Sequence, residues 1–267
     1  MELVILQDPL ITKFAQKILE EISITKIIAY TNKLGEDWIV QHTGNCGIHT
    51  IMTDVGEEPM HIGVLFRLVA KIKPSIWGNC LCNMIIYWND FLADIFGKRL
   101  NEHFTGENIL PDNIAKKIKS TISLCDLAGS NLDKIQEVLL YSFNFLPHKE
   151  RLKLIEQMLD KSLQINVISQ ITKAVEVRNV IQHHNSIVTS DSLKRLGCNT
   201  IEIFNNDGNA IHFGHGDQIQ LTLAEIMCSR NALFNAACLF YGEDYKFKPN
   251  QFTDMQWFGE EKADQNS

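Results

Sequence analysis

Three observations predict a mainly α chain: apolar residues recur at three- and four-residue spacing from about residue 76 onward, two alternating β-branched runs flank a turn-rich spacer near residue 205, and the first quarter mixes both patterns. The expected architecture is an antiparallel helical bundle with a small inserted β-hairpin, behind a mixed α/β N-terminal portion. Asp8-Pro9 supplies N-cap and N1 residues, and Ile11, Phe14, Ile18, Leu19 and Ile22 put one apolar face on a first helix. Asp37–Gln41 and Gly47–Thr53 are β-branched and aromatic runs around Gly44-Asn45 and predict a short hairpin. Residues 62–72 read as a buried helix ended by Pro74.

Trp77, Leu81, Met84, Ile85, Trp88, Leu92, Ile95 and Phe96 then form a stripe that needs partner helices. Pro111-Asp112 opens another helix, and Ala128-Gly-Ser-Asn131 breaks the chain before Leu132–Phe145 resumes the apolar period. After Pro147 the longest helical pattern runs from His148 to His183, with Asn166-Val167 as its possible interruption. Thr200–Phe204 and Ala210–Phe213 flank Asn205-Asn-Asp-Gly-Asn209, whose Asp-Gly suits a hairpin turn. Thr222-Leu-Ala-Glu225 has capping-box spacing and starts the last helix. The domain reading is 1–75 for the mixed portion, 76–245 for the helical domain and 246–267 for a C-terminal extension whose polar tail is expected to be disordered.

Composition narrows the partners. Twenty-five Lys and Arg against 32 Asp and Glu leave a formal charge of −7, so no global basic field draws the chain to nucleic acid or anionic lipid, and any RNA site must be local. The seven cysteines are odd in number, scattered and set in apolar sequence, which suits reduced core residues of a cytoplasmic protein. The apolar start has no basic n-region, and no window is long enough for a membrane span.

The most informative stretch sets Arg178 and His183 five residues apart near the end of an apolar-periodic segment. A guanidinium offers a fork of donors to phosphate oxygens, and an imidazole takes and returns a proton near neutral pH. Five residues of ideal helix leave the two about 140° apart, so they converge at a fray or bend, or when two copies face each other. The bland alternative has Arg178 capping carboxylates such as Glu176 or Asp191, with two surface histidines at a helix end.

The run Arg178-Asn-Val-Ile-Gln-His183-His184-Asn-Ser-Ile-Val188 resembles the signature of the HEPN superfamily. Many of its members are RNases with Arg, a polar residue, and His after four intervening residues. Gly216-Asp-Gln-Ile-Gln-Leu-Thr222 and the helix after it are similar too. The chain departs from the pattern at Gln182, where Val is common, at His184, where Asn is common, and at Ser186, where a Gly often turns the backbone. The resemblance covers residues 76–245 and implies a HEPN-like bundle, a homodimer, and a metal-independent endoribonuclease of toxin or phage-defence kind that needs no cofactor. In that reading Arg178 and His183 are catalytic, supported by Asn179, and RNA, with tRNA among the candidates, contacts His184, Lys194 and Arg195. A neutralising or regulatory protein partner is also implied. The alternatives are a non-catalytic dimerisation or partner-binding module and an RNA or nucleotide sensor.

Other constellations are less specific. His42, Cys46, His49 and His61 can be drawn as a zinc set, but their spacing matches no standard finger. Cys80 and Cys82 lie about 200° apart on a helix and suit packing rather than chelation. Lys116-Lys117-x-Lys119 and Lys149-x-Arg151-x-Lys153 read as solvated helix faces. Walker, nucleophile-elbow and zincin motifs do not occur.

Overall fold

The computed structural model describes residues 8–42, 48–53, 56–118 and 132–242. Among them the chain is mainly helical, with two separate two-stranded antiparallel sheets. The helices are α1 (Pro9–His42), α2 (Ile62–Thr105), α3 (Asp112–Ala115), α4 (Leu132–Asn144), α5 (His148–Leu159), α6 (Ile165–His183), α7 (Ser190–Leu196) and α8 (Leu223–Tyr241); the strands are β1 (Ile48–Thr53), β2 (Gly56–His61), β3 (Ile201–Phe204) and β4 (Ala210–Phe213). No helix among the described residues is long and apolar enough to cross a membrane.

The predicted face of α1 is the buried one. Ile11, Phe14, Ile18 and Ile22 enter the core, and Asp8 Oδ1 accepts the Leu10 amide 2.8 Å away to start the helix. Phe14 stacks on Phe91 at 4.7 Å and meets Phe234 edge-on, so α1, α2 and α8 share one aromatic cluster. The α2 stripe is buried from Leu81 to Phe96, with Trp88, Met84 and Leu92 fully enclosed, and Trp77 is partly buried against the same core.

Three expectations for the N-terminal portion need correction. Asp37–Gln41 continues α1 instead of forming a strand, because the helix carries on to His42. The hairpin instead pairs β1 with β2, Ile48 opposite His61 and Thr53 opposite Gly56. Pro74 does not end a helix: α2 continues through it, so the division expected at 75–76 falls within α2, and the first helix packs into the same core as the rest.

The long segment after Pro147 is two helices, and the break lies at 160–164 rather than at Asn166-Val167. Asp160 takes a left-handed φ of 51°, and Glu156 closes the corner by accepting the Leu163 amide at 2.7 Å. Leu163 is then buried as the chain re-enters the bundle. The second hairpin forms as expected, with Ile201 opposite Phe213 and Phe204 opposite Ala210. Gly208 supplies the positive φ of its turn, and Asn205 Oδ1 accepts the amides of Asp207 and Asn209.

Only half of the expected capping box is made. Thr222 Oγ1 accepts the Glu225 amide, but the Glu225 carboxylate turns away to accept the Phe204 amide at 3.1 Å and to meet Lys173 Nζ at 2.8 Å. Glu225 is 1 % exposed, and burial raises its pKa against the pull of Lys173. The pair ties β3, α6 and α8 together around one buried charge.

Candidate functional site

The Arg178–His183 stretch occupies the last two turns of α6, and its backbone beyond is tightly specified. His184 and Ser186 both donate their amides to the Val180 carbonyl, closing the helix end. Asn185 and Ser186 take positive φ values of 50° and 65°. Ser186 thus follows the left-handed path that a glycine adopts without strain. Immediately afterwards Val188 donates to Asp217 O, Gly216 to Val188 O and Ile219 to Ser186 O, with Ile187 bridged to Gln218. The two segments singled out in the sequence, 178–188 and 216–222, are therefore neighbours joined by backbone hydrogen bonds.

Arg178 is not the cap of a carboxylate. Its NH1 donates to Asn179 Oδ1 at 3.1 Å, and Asn179 Nδ2 in turn donates to Glu176 Oε2 at 3.4 Å. Glu176, 5 % exposed, spends its other oxygen on Arg195, which reaches it through Nε at 3.0 Å and NH2 at 2.9 Å. The expected residues Arg178, Asn179 and Arg195 are so brought into one network whose hub, Glu176, is the acidic member. Arg195 comes from α7, which Thr189 caps by accepting the Ser192 amide.

His183 is exposed, and His184, the C-cap residue, is half-buried. Neither side chain is hydrogen-bonded to the network among the described residues, and Lys194 is exposed beside it. Gly78 of α2 lies so close to Ile181 that an added Cβ would sit 3.3 Å from Ile181 Cγ2, which fixes how the motif end of α6 rests on α2.

Arg151, expected on a solvated helix face, instead lies near Arg178, and His148 is not singled out by the sequence. Arg151 feels burial first and then the Arg178 charge, and both push its pKa down. The Nε atoms of Arg151 and Arg178 are buried and find no acceptor among the described residues. Two cations held together with unspent donors form a local positive centre in a chain of negative net charge. His148, one turn earlier, accepts the indole N–H of buried Trp88 on Nε2 at 2.9 Å. Burial, reinforced by Arg151, lowers its pKa to about 4, so the ring is neutral and carries its proton on Nδ1. The Lys149-x-Arg151-x-Lys153 pattern reads as a solvated face, and Lys149 and Lys153 are indeed exposed; Arg151 departs from it by being partly buried.

The zinc set gains no support. Cys46 lies outside the described residues, and His61 Nδ1 is occupied by the Gly63 amide at 3.1 Å. Cys80 and Cys82 are buried as packing residues, and burial pushes the Cys80 thiol up to about 12. No family model matches the chain, and neither a curated protein nor a solved structure does.

Proposed function

We propose that the protein is a metal-independent endoribonuclease of HEPN type that acts as a homodimer. The observation that carries this reading is the part-buried Arg178, whose Nε has no acceptor among the described residues, near a second cation and about one turn from an exposed imidazole at the helix end. The part-buried guanidinium offers a phosphodiester its positive charge. His183 takes the ribose 2′-hydroxyl proton, the 2′-oxygen attacks phosphorus, and the P–O5′ bond breaks. The leaving oxygen receives a proton from the imidazolium of a second copy or from solvent. Arg178 bears the charge that builds on the non-bridging oxygens, and Asn179 holds Arg178 through its amide oxygen. The products are a 2′,3′-cyclic phosphate and a 5′-hydroxyl.

Incubation of the protein with tRNA and other RNA in EDTA tests this. Fragments with cyclic-phosphate ends are expected, lost in Arg178→Ala and His183→Ala with melting temperatures nearly unchanged, and less affected in His184→Ala. Ends bearing a 5′-phosphate, or activity only with added magnesium, overturn the chemistry. The dimer follows from the offset of Arg178 and His183 on one helix; light scattering that reports an active monomer removes it.

A second reading, a non-catalytic partner-binding module, draws on the far half of α1, where Ile24, Ile27, Ile28 and Leu34 are about half exposed or more. In that case neither alanine variant alters any RNA, and loss of binding follows substitution of those four residues.

A further inference from the structure

Beside the Arg178 network lies a cleft of about 310 Å³ that shares Asn179 with the proposed chemistry and is otherwise not used by it. One wall is the first turn of α5, Pro147, His148 and Lys149. The other is the face of α6 carrying Thr172, Glu176 and Asn179, and Arg195 closes the end. The charge balance of this space is positive. Glu176 is the acidic lining residue and is already bound to Arg195, while Lys149 stands free enough to rest its Nζ on the Arg195 carbonyl at 3.3 Å. Arg151 and Arg178, with their unspent Nε donors, add to the same field.

The donors are also fixed in place. Trp88 holds His148 by Nε2, so the neutral ring has Nδ1–H as its donor and no lone pair competes for cations. Glu176 orients Arg195 through two hydrogen bonds to one oxygen, which leaves NH1 for a ligand. The start of α5, whose N-cap Pro147 makes no side-chain cap, lines the same cleft. Asn179 belongs both to the cleft lining and to the hydrogen bond with Arg178, so the cleft adjoins the proposed catalytic arginine.

We propose that this cleft binds a phosphate of the RNA strand adjacent to the one at Arg178, with Lys149, His148 and Arg195 as donors and Thr172 against the sugar. This rests on the RNA reading for the owner of the phosphate; the same chemistry would accept a free nucleoside monophosphate. The group is an anion rather than a cation because the only carboxylate in the lining is spent on an arginine.

The test uses the full chain and an uncleavable 2′-O-methyl RNA oligonucleotide, with anisotropy at several salt concentrations. Lys149→Ala, an exposed site, is expected to weaken binding about fivefold and to lower the salt slope by about 1. Thr172→Trp, which fills the cleft, is expected to weaken it about tenfold or more. Calorimetry with adenosine 5′-monophosphate and inorganic phosphate forms the second arm. Weakening in both variants supports the proposal. If the wild type binds RNA and both variants bind as well as it does, the cleft assignment is overturned while the RNA reading stands. If no RNA binds but the monophosphate does, and Lys149→Ala abolishes that, the cleft stands as a phosphate site and the RNA reading falls. Absence of all binding overturns both.

Discussion

The His148–Trp88 contact makes the stability of the fold depend on pH in a calculable way. The unfolded imidazole titrates near 6.5 and the folded one near 4, so below pH 6.5 the unfolded chain takes a proton that the native chain refuses. Stability is fully present above the unfolded value and is lost as pH falls from there toward the folded one, at about 1.4 kcal/mol per pH unit. Between pH 7 and pH 4.5 the loss is about 2–3 kcal/mol, a large share of the total for an ordinary domain. His148→Gln keeps an acceptor for the indole and removes the titration. Urea denaturation followed by far-ultraviolet circular dichroism at pH 7, 5.5 and 4.5 should show the variant's curve flatter than that of the wild type by this amount. Other groups cancel in the difference, including Glu225, whose raised pKa acts in the opposite sense: its native form holds a proton that the unfolded chain gives up, so its contribution falls as pH rises. Parallel pH curves for wild type and variant would falsify the account of His148 as a buried neutral ring.

Other expected outcomes follow from the packing. Lys173→Met should cost about 3 kcal/mol by leaving the Glu225 carboxylate buried without its cation, and the cost should shrink toward acid pH as that carboxylate protonates; thermal melts at pH 8 and pH 5 report it. Ser186→Gly should raise stability by about 0.5–1 kcal/mol, since glycine takes the left-handed backbone without the steric cost that serine bears, and a lower denaturation midpoint would contradict this. Native thiol labelling should lose one fast equivalent in Cys198→Ser, where the thiol is exposed, and none in Cys80→Ser, where it is buried.

Periodicity carried the bundle because each core helix shows its buried face in sequence: Phe14 and Ile18 on α1, Trp88 and Leu92 on α2, Leu152 and Ile155 on α5 are all inside. What escaped was punctuation. Pro74 and Asp37–Gln41 carry strong local signals that a long helix overrode, and the real break at Asp160 uses a residue without glycine's signature, stabilised by a hydrogen bond from Leu163 to Glu156 that no local pattern announces. The candidate site shows the same division. Arg178, Asn179 and Arg195 were visible as residue types, but their grouping depends on Glu176, and the Arg151–Arg178 proximity depends on how two separate helices meet.

The continuity of α2 bears on how events far from the bundle reach its chemistry. Forty-four residues at about 1.5 Å each make a rod of about 65 Å, of which the stretch before Gly78 amounts to about 25 Å and carries the β1–β2 hairpin at its head. Pro74 lies in that stretch, four residues before Gly78, and removes one rung of its hydrogen-bond ladder, so bending of the rod concentrates there. The Gly78 surface on which Ile181 rests is on the bundle side of that point, which separates the seating of the end of α6 from motion of the hairpin.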